Sequence, residues 1–385
     1  MQYLFQTPQQ NQPIHQHPFV WCNGRFYNIQ DFGFPVSKHG FHYGTTTFGG
    51  TGVRKCIDGK HRIFRAEDHA QRFLDHAQGF GLKVPFSAKD ILNACVEISR
   101  RNMPSLKTED LYLRMALDPF DQYLGVGSSE QTDVVILAQD LTQYLKIAEG
   151  RTGASLLLPG QQLFRRGDET VGLPFFKSAI NYGLGNMWKR IAHHFGAVET
   201  LAAGPSSNSL SEATGACLFV IKNDETIATP SLDYMCLDSI TRRTVLWILR
   251  TLNIFVHETR ISEIDVLSAK CVFLVGTWAG PVFIEEILHD ISTPSIPKEI
   301  LTANNGKNFF QYILDNLHPT SYMFPTSGEH YDFFRKVERI YWDIVRCNFS
   351  ALPSEFVIPE NWHTLIPPSA PKEPVIDPED IKDWP

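Results

Sequence analysis

Pro174-Phe175-Phe176-Lys177-Ser178-Ala179-Ile180-Asn181-Tyr182 sets one lysine between an aromatic pair and a short run of small and apolar residues. Desolvation disfavours an ammonium ion, so an amine in such surroundings is a candidate nucleophile. The competing structural reading is a lysine snorkelling at a strand end, its stem covered and its charge in water. Features on both sides of the stretch decide between the two.

The chain has 385 residues, enough for two domains with separate cores. An apolar fraction of 43% and a charged fraction of 20% are those of an ordinary soluble globular protein. A net charge of -7 argues against a nucleic-acid partner, which would call for a basic face. No segment reaches the roughly 18 apolar residues of a membrane span, so no membrane partner is expected. Residues 1–17, rich in Gln, Pro and His, lack the basic start and apolar centre of a secretory signal and read as a flexible arm. Seven cysteines without Cys-x-x-Cys spacing point to reduced thiols and a cytoplasmic protein, with Cys95, Cys217 and Cys271 as small core residues.

Phe19–Cys22 and Arg25–Tyr27 flank Asn23-Gly24, a pair that tolerates positive φ at both positions, and this predicts a hairpin. The Gly/Thr-rich run from His42 to Gly52 favours strands packed close to other backbone. Phe73, Leu74, Ala77 and Phe80 recur at helical spacing and predict a helix over about 66–80. Ser87-Ala88-Lys89-Asp90 carries a capping-box pattern ahead of Ile91, Leu92, Cys95, Val96 and Ile98. With strands at about 110–116 and 132–138, residues 18–140 read as a small α+β domain. Residues 141–350 read as a larger, β-rich α/β domain. Its helices fall at about 183–195 and 241–252, its hairpin at 217–221 and 226–229, and further strands at 254–258 and 271–275. A helix over 329–347 closes it, residues from about 285 to 324 read as an insertion, and proline-rich 351–385 as an extended tail.

Other chemistries lack their signatures. His193 and His194 are adjacent and cannot share a helical face as the histidines of His-Glu-x-x-His do. His15, His17 and Cys22 belong to a polar arm, so no metal is expected. Gly49-Gly50-Thr51-Gly52 has no Gly-Lys-Thr/Ser after it, and no Gly-x-Ser-x-Gly elbow is present.

A set of short motifs, in order, gives the chain a family likeness. Lys177 to Tyr182 resembles the lysine motif of fold-type IV pyridoxal-phosphate (PLP) enzymes, which ends in Asn-Tyr. Ser211-Glu212-Ala213 leading to Leu218-Phe219 is similar to that family's Ser-Glu-Gly and Asn-Leu-Phe elements. Thr229-Pro230, Leu237-Asp238-Ser239-Ile240-Thr241-Arg242 and Gly276-Thr277-Trp278-Ala279 follow where the family has Thr-Pro, Leu-Pro-Gly-Ile-Thr-Arg and Gly-Thr-Ala-Ala. Upstream, His42-Tyr43-Gly44-Thr45 with Phe48, and Phe64-Arg65 ahead of Asp68-His69, resemble elements of the small domain. Tyr112-Leu113-Arg114 is similar to the Tyr-x-Arg strand of branched-chain aminotransferases.

The resemblance covers about residues 18–284 and implies a two-domain fold-type IV enzyme, a small α+β domain followed by a larger α/β domain. It implies PLP as cofactor, amino-acid and 2-oxo-acid substrates such as 2-oxoglutarate, and a homodimer. Lys177 would hold the cofactor as a Schiff base and move the proton at the substrate α-carbon. Glu212 would meet the pyridine nitrogen and Tyr182 the ring's phenolic oxygen. Arg65, Ser239, Ile240, Thr241 and Thr277 would hold the phosphate, the middle three at a helix start that favours anions. Tyr43, Phe48, Tyr112, Arg114, Trp278 and Ala279 would line the substrate side.

The chain also departs from the family pattern. Gly49 stands for a Glu, Thr51-Gly52 look inserted, Met115 stands for a Pro, Ala216-Cys217 for Glu-Asn and Lys270-Cys271 for Asp-Glu. Trp278 stands where a small residue is usual, and an indole there narrows the pocket. Three alternatives stay open: a lyase of the aminodeoxychorismate type, a D-amino-acid aminotransferase, and a cofactor-binding member with altered catalysis.

Overall fold

Asn23 and Gly24 make the first turn of the chain, with φ of 46° and 86°, joining β1 (Gln16–Cys22) to β2 (Arg25–Asn28). The structure is a computed structural model that describes residues 16–121, 124–139, 151–160, 164, 175–206, 208–290 and 309–368. The expected amino-terminal arm up to residue 15, Pro174, the middle of the expected insertion and the end of the tail lie outside the described residues. The chain divides into two units. One takes Met1–Tyr144, Phe176–Ile180 and Trp342–Pro385, and the other takes Leu145–Phe175 and Asn181–Tyr341.

In the first unit the Gly/Thr-rich run makes a short helix and then a strand, α1 (His39–Tyr43) and β3 (Thr47–Lys55). β4 (His61–Phe64) follows, then α2 (Ala66–Gly79) and α3 (Ala88–Asn102). The expected capping box is present at α3: Ser87 Oγ accepts from Asp90 N–H, and Asp90 accepts from Ser87 N–H. β5 (Leu111–Pro119) and β6 (Thr132–Gln139) complete this stretch. The two helices bury Phe73, Ala77, Ile91 and Ile98 against Trp21, Leu113 and Ile136 of the sheet. Each of the Phe and Ile side chains among them contributes about 1.5–3 kcal/mol.

The second unit is built on a nine-stranded sheet. β7 (Ala154–Leu158), β8 (Glu199–Ala203) and β9 (Leu210–Ala213) form one side, with α4 (Ile180–His194) between the first two. β10 (Cys217–Ile221) and β11 (Ile227–Pro230) are the expected hairpin. α5 (Ile240–Thr251) leads to β12 (Val256–Thr259), and α6 (Glu263–Leu267) to β13 (Cys271–Gly276) and β14 (Gly280–His289). β10, β13 and β14 are buried along most of their length, as befits central strands, and β10 and β13 read as continuous apolar runs. The described part of the expected insertion is woven into this sheet. After α7 (Phe309–Asn316), β15 (Thr320–Met323) pairs antiparallel with β14 from Glu286 to His289. α8 (Glu329–Val345) follows, and its Phe334 ring packs on Phe273 and Phe283.

The chain then returns to the first unit. Within the proline-rich segment, β16 (His363–Leu365) pairs antiparallel with β4, completing the sheet order β16-β4-β3-β5-β6-β1-β2. Trp362, just ahead of it, is buried.

Candidate active site

Lys177 is placed by its backbone. Residues 177–179 run antiparallel to the start of β3: Phe48 N–H donates to the Lys177 carbonyl at 2.8 Å, and Ala179 N–H to the Thr46 carbonyl at 2.8 Å. On its other side, Lys177 N–H donates to Nδ1 of His76 at 2.9 Å. His76 is buried in the last turn of α2, where its ring also meets the edge of Phe176 at 5.5 Å. The lysine side chain itself is half-buried, with Nζ 5.1 Å from the centre of the Phe48 ring.

Three of the expected substrate residues, Phe48, Tyr112 and Arg114, form one cluster, with Arg114 beside both rings. The Arg114 guanidinium carbon lies 4.6 Å from the Phe48 ring centre and 5.4 Å from that of Tyr112. The register explains the cluster: Phe48 faces Ala116 and Gly50 faces Arg114 across β3 and β5. Gly50 is required here because a Cβ would occupy the place of the buried Tyr112 hydroxyl. Tyr43 stands apart from this group, with its hydroxyl donating to the Leu124 carbonyl at 2.8 Å and its ring against His39.

Arg65 precedes α2 in a left-handed conformation, φ 51° and ψ 42°. A non-glycine residue there costs of order 1 kcal/mol and persists only where its surroundings enforce it. They do: Arg65 N–H donates to the Trp362 carbonyl at 2.6 Å, its guanidinium lies 4.7 Å from the Trp362 ring, and Nε donates to Asp68 at 2.6 Å. One turn into α2, His69 is fully enclosed and its Nδ1 has no hydrogen-bond partner among the described residues. Burial, then the charges of Arg72, Arg65 and Lys177, hold the His69 imidazole well below its ordinary pKa. A buried, unanswered polar atom among three cations suits an anionic group.

In the second unit, Glu212 on β9 is buried, and both carboxylate oxygens are held. Oε1 accepts from Leu237 N–H at 3.0 Å and Oε2 from the Cys217 thiol at 3.1 Å. Burial, then the Glu212 charge, pushes the Cys217 thiol well up, so it stays a donor. Two residues past Leu237, Ser239 caps α5, its Oγ accepting from Arg242 N–H at 3.4 Å. The amides of Ile240 and Thr241 open this helix, at the positive end of its dipole, which favours an anion. Arg242 is structural, donating to the Pro230 carbonyl at 2.9 Å and to Glu258 at 2.7 Å. Thr277, Trp278 and Ala279 form the half-buried turn between β13 and β14, where Gly276 lies close to the Gly215 carbonyl. Tyr182 is half-buried in the first turn of α4.

Taken unit by unit, the chemistry suits PLP: the first offers an enclosed cationic cluster and a half-buried lysine, and the second a buried carboxylate with a helix start two residues past its amide donor. Sequence reasoning did not name His76, and it gave no role to His69 or the Leu237 amide. The histidines share helical spacing with core residues of α2, and a backbone donor leaves no mark in sequence.

The mixed-sheet, two-unit architecture is that of a fold-type IV PLP enzyme. The chain matches the model of the class IV amino-transferase family over residues 57–287 and belongs to that family, as a PLP-dependent transaminase. It is 28% identical over 266 residues to the branched-chain-amino-acid aminotransferase of Escherichia coli K12, covering 68% of this chain and 82% of that one. Its fold is similar to the crystal structure of the branched-chain aminotransferase of Thermoproteus uzoniensis with norvaline. There the TM-score is 0.71 at 24% identity, covering 90% of this chain and 99% of that one. The PLP form of the Thermobaculum terrenum enzyme gives a TM-score of 0.70 at 21% identity, covering 92% and 99%. No helix among the described residues is long and apolar enough to cross a membrane.

Proposed function

We propose that this transaminase moves the amino group of an L-amino acid with a branched or otherwise hydrophobic side chain to a 2-oxo acid such as 2-oxoglutarate. In this reading Lys177 is both covalent anchor and proton carrier. The observation that carries it is the Phe48 ring, which has the Lys177 amine at 5.1 Å and the Arg114 guanidinium at 4.6 Å. An apolar surface with a cation of each kind beside it matches a substrate that has an aliphatic side chain, an α-carboxylate and a proton to be moved. The guanidinium accepts the carboxylate as a planar fork. Tyr112 flanks that guanidinium, and the family resemblance makes Trp278 and Ala279 the residues that would limit the size of the side chain. The curated E. coli relative, named for branched-chain amino acids, supports the choice of donor.

PLP, when bound, supplies an electron sink for negative charge at the substrate α-carbon. Glu212 holds a carboxylate for the ring nitrogen, and Tyr182 offers a hydroxyl to the ring's phenolic oxygen. Arg65, Thr277 and the amides from Ser239 to Thr241 take the phosphate. Lys177 removes and returns the α-proton. The same reading extends to a homodimer in the cytoplasm, in keeping with seven free cysteines.

The test is to reduce the yellow holoenzyme with borohydride and map the adduct, then follow colour as L-leucine and 2-oxoglutarate are added in turn. An adduct on Lys177, bleaching by leucine and recovery with 2-oxoglutarate are expected. An adduct elsewhere, or colour unmoved by a broad amino-acid panel, overturns the proposal.

A further inference from the structure

Away from these residues, two cysteines far apart in sequence meet within the first unit. Cys56 follows β3 and Cys347 follows α8, and their Sγ atoms are 3.1 Å apart, one thiol donating to the other. The residues beside them fix this approach. Ile57 N–H donates to the Arg346 carbonyl at 3.0 Å, and the Arg346 guanidinium reaches back to the Lys55 carbonyl at 2.8 Å. Asp110 holds that guanidinium at 2.9 and 2.6 Å.

Cys347 occupies a costly position. Asn348 N–H donates to the Asp343 carbonyl and Cys347 N–H to the Ile344 carbonyl, the paired bonds of a Schellman cap. Its φ of 58° lies where glycine is the usual residue. A side chain is nevertheless kept there, with its sulfur against Cys56.

We propose that Cys56 and Cys347 are a reversible dithiol site, closed to a disulfide by a peroxide and reopened by a small thiol. Cys56 is the attacking sulfur. The hydrogen bond from Cys347, helped by Arg62 and opposed by burial, lowers its thiol to about 7, while Cys347 is pushed up. By contrast, burial pushes Cys22, Cys95 and Cys271 up to about 12. The Cys56 thiolate attacks one peroxide oxygen, the O–O bond breaks, hydroxide leaves and a sulfenic acid forms. The Cys347 sulfur then attacks Cys56, the S–S bond forms, the S–O bond breaks, and the Cys347 proton leaves with the oxygen as water. In sum, two thiols lose two hydrogens and one peroxide becomes two waters. Cys56 is buried and Cys347 half-buried, so a reductant enters at Cys347 and restores both thiols by exchange.

The experiment treats the full-length holoenzyme with hydrogen peroxide, blocks remaining thiols, and maps peptides without reduction. A linked Cys56–Cys347 peptide that vanishes with dithiothreitol is expected. The thermal midpoint should rise by several degrees, because the bond closes a very long loop. The Cys347→Gly variant, suited to the positive φ, should fold as well as the parent when reduced. It should lose the linked peptide and the thermal shift, and leave Cys56 as a sulfenic acid that dimedone captures. Failure to find the linked peptide, or an equal thermal shift in Cys347→Gly, overturns the proposal.

Discussion

The backbone N–H of Lys177 donates to Nδ1 of His76 at 2.9 Å, so a histidine at the end of α2 fixes the peptide of the lysine proposed as catalytic. That bond requires the His76 tautomer with its proton on Nε2. Replacing His76 with alanine leaves a buried N–H without an acceptor, at a cost of about 1–3 kcal/mol. His76→Ala should lower kcat roughly tenfold or more with little change in KM, because the amine shifts relative to the α-carbon. His76→Asn, whose side-chain oxygen can accept the same bond, should recover most of the rate. Equal losses in both variants would show that His76 acts only by filling space.

Glu212 and Cys217 form a second such pair. Where the family has Asn, this chain has a thiol that still donates to the carboxylate at 3.1 Å. A net hydrogen bond is worth about 1 kcal/mol. Cys217→Ala should therefore weaken cofactor retention roughly fivefold, whereas Cys217→Asn should hold it near the parent value. Equilibrium dialysis of PLP against each variant measures this, and unchanged retention in Cys217→Ala removes the thiol from the account.

The order of strands and helices was legible in the sequence because most elements announce themselves locally. Asn23-Gly24 marked a turn, Ser87 and Asp90 a cap, and the apolar spacing of Phe73 and Ala77 a helix face. The motif around Lys177 and the Tyr112-Leu113-Arg114 strand led to residues that share the Phe48 ring. Long-range pairing was not legible. β16 adds to β4 from a proline-rich segment about 300 residues later and has no periodicity of its own. Cys56 and Cys347 likewise carry no spacing signal. Gly49 and Met115 read as two unrelated departures, yet they face each other across β3 and β5.

That last pairing predicts coupling. A Cβ on Gly49 would come 2.7 Å from the end of the Met115 side chain, and Met115 is buried. Overpacking of this kind costs about 1–3 kcal/mol. Gly49→Ala should destabilise the protein by about that amount, and much less in a Met115→Ala background. A double-mutant cycle in urea reads the coupling directly, and strictly additive effects would contradict it.

His69 gives the protein a pH-dependent stability. Burial, then Arg72, Arg65 and Lys177, hold its folded-state pKa well below 6.5. Its contribution is therefore complete above pH 6.5. It is lost progressively as pH falls below that value, where only the unfolded chain takes the proton. The slope from one such group approaches about 1.4 kcal/mol per pH unit. His193, His289 and His363 are shifted in the same direction by burial, so His69→Gln should reduce the slope without abolishing it. Urea midpoints between neutral and mildly acid pH test this; parallel curves for parent and variant would refute it.

Trp278 sits in the turn between Gly276 and Gly280, where the family pattern has a small side chain. On the proposed substrate side, a half-buried indole removes volume that a bulky donor would need. Apolar pocket contacts discriminate by about 1–3 kcal/mol per methylene-sized change, roughly 10–200-fold in kcat/KM. Trp278→Ala should raise kcat/KM for L-phenylalanine relative to L-leucine by about tenfold or more, with the PLP content unchanged. The ratio of donors is the informative quantity, because a general loss of folding lowers both rates together. A ratio that stays at the parent value would mean that the indole faces away from the donor and that another residue sets its size.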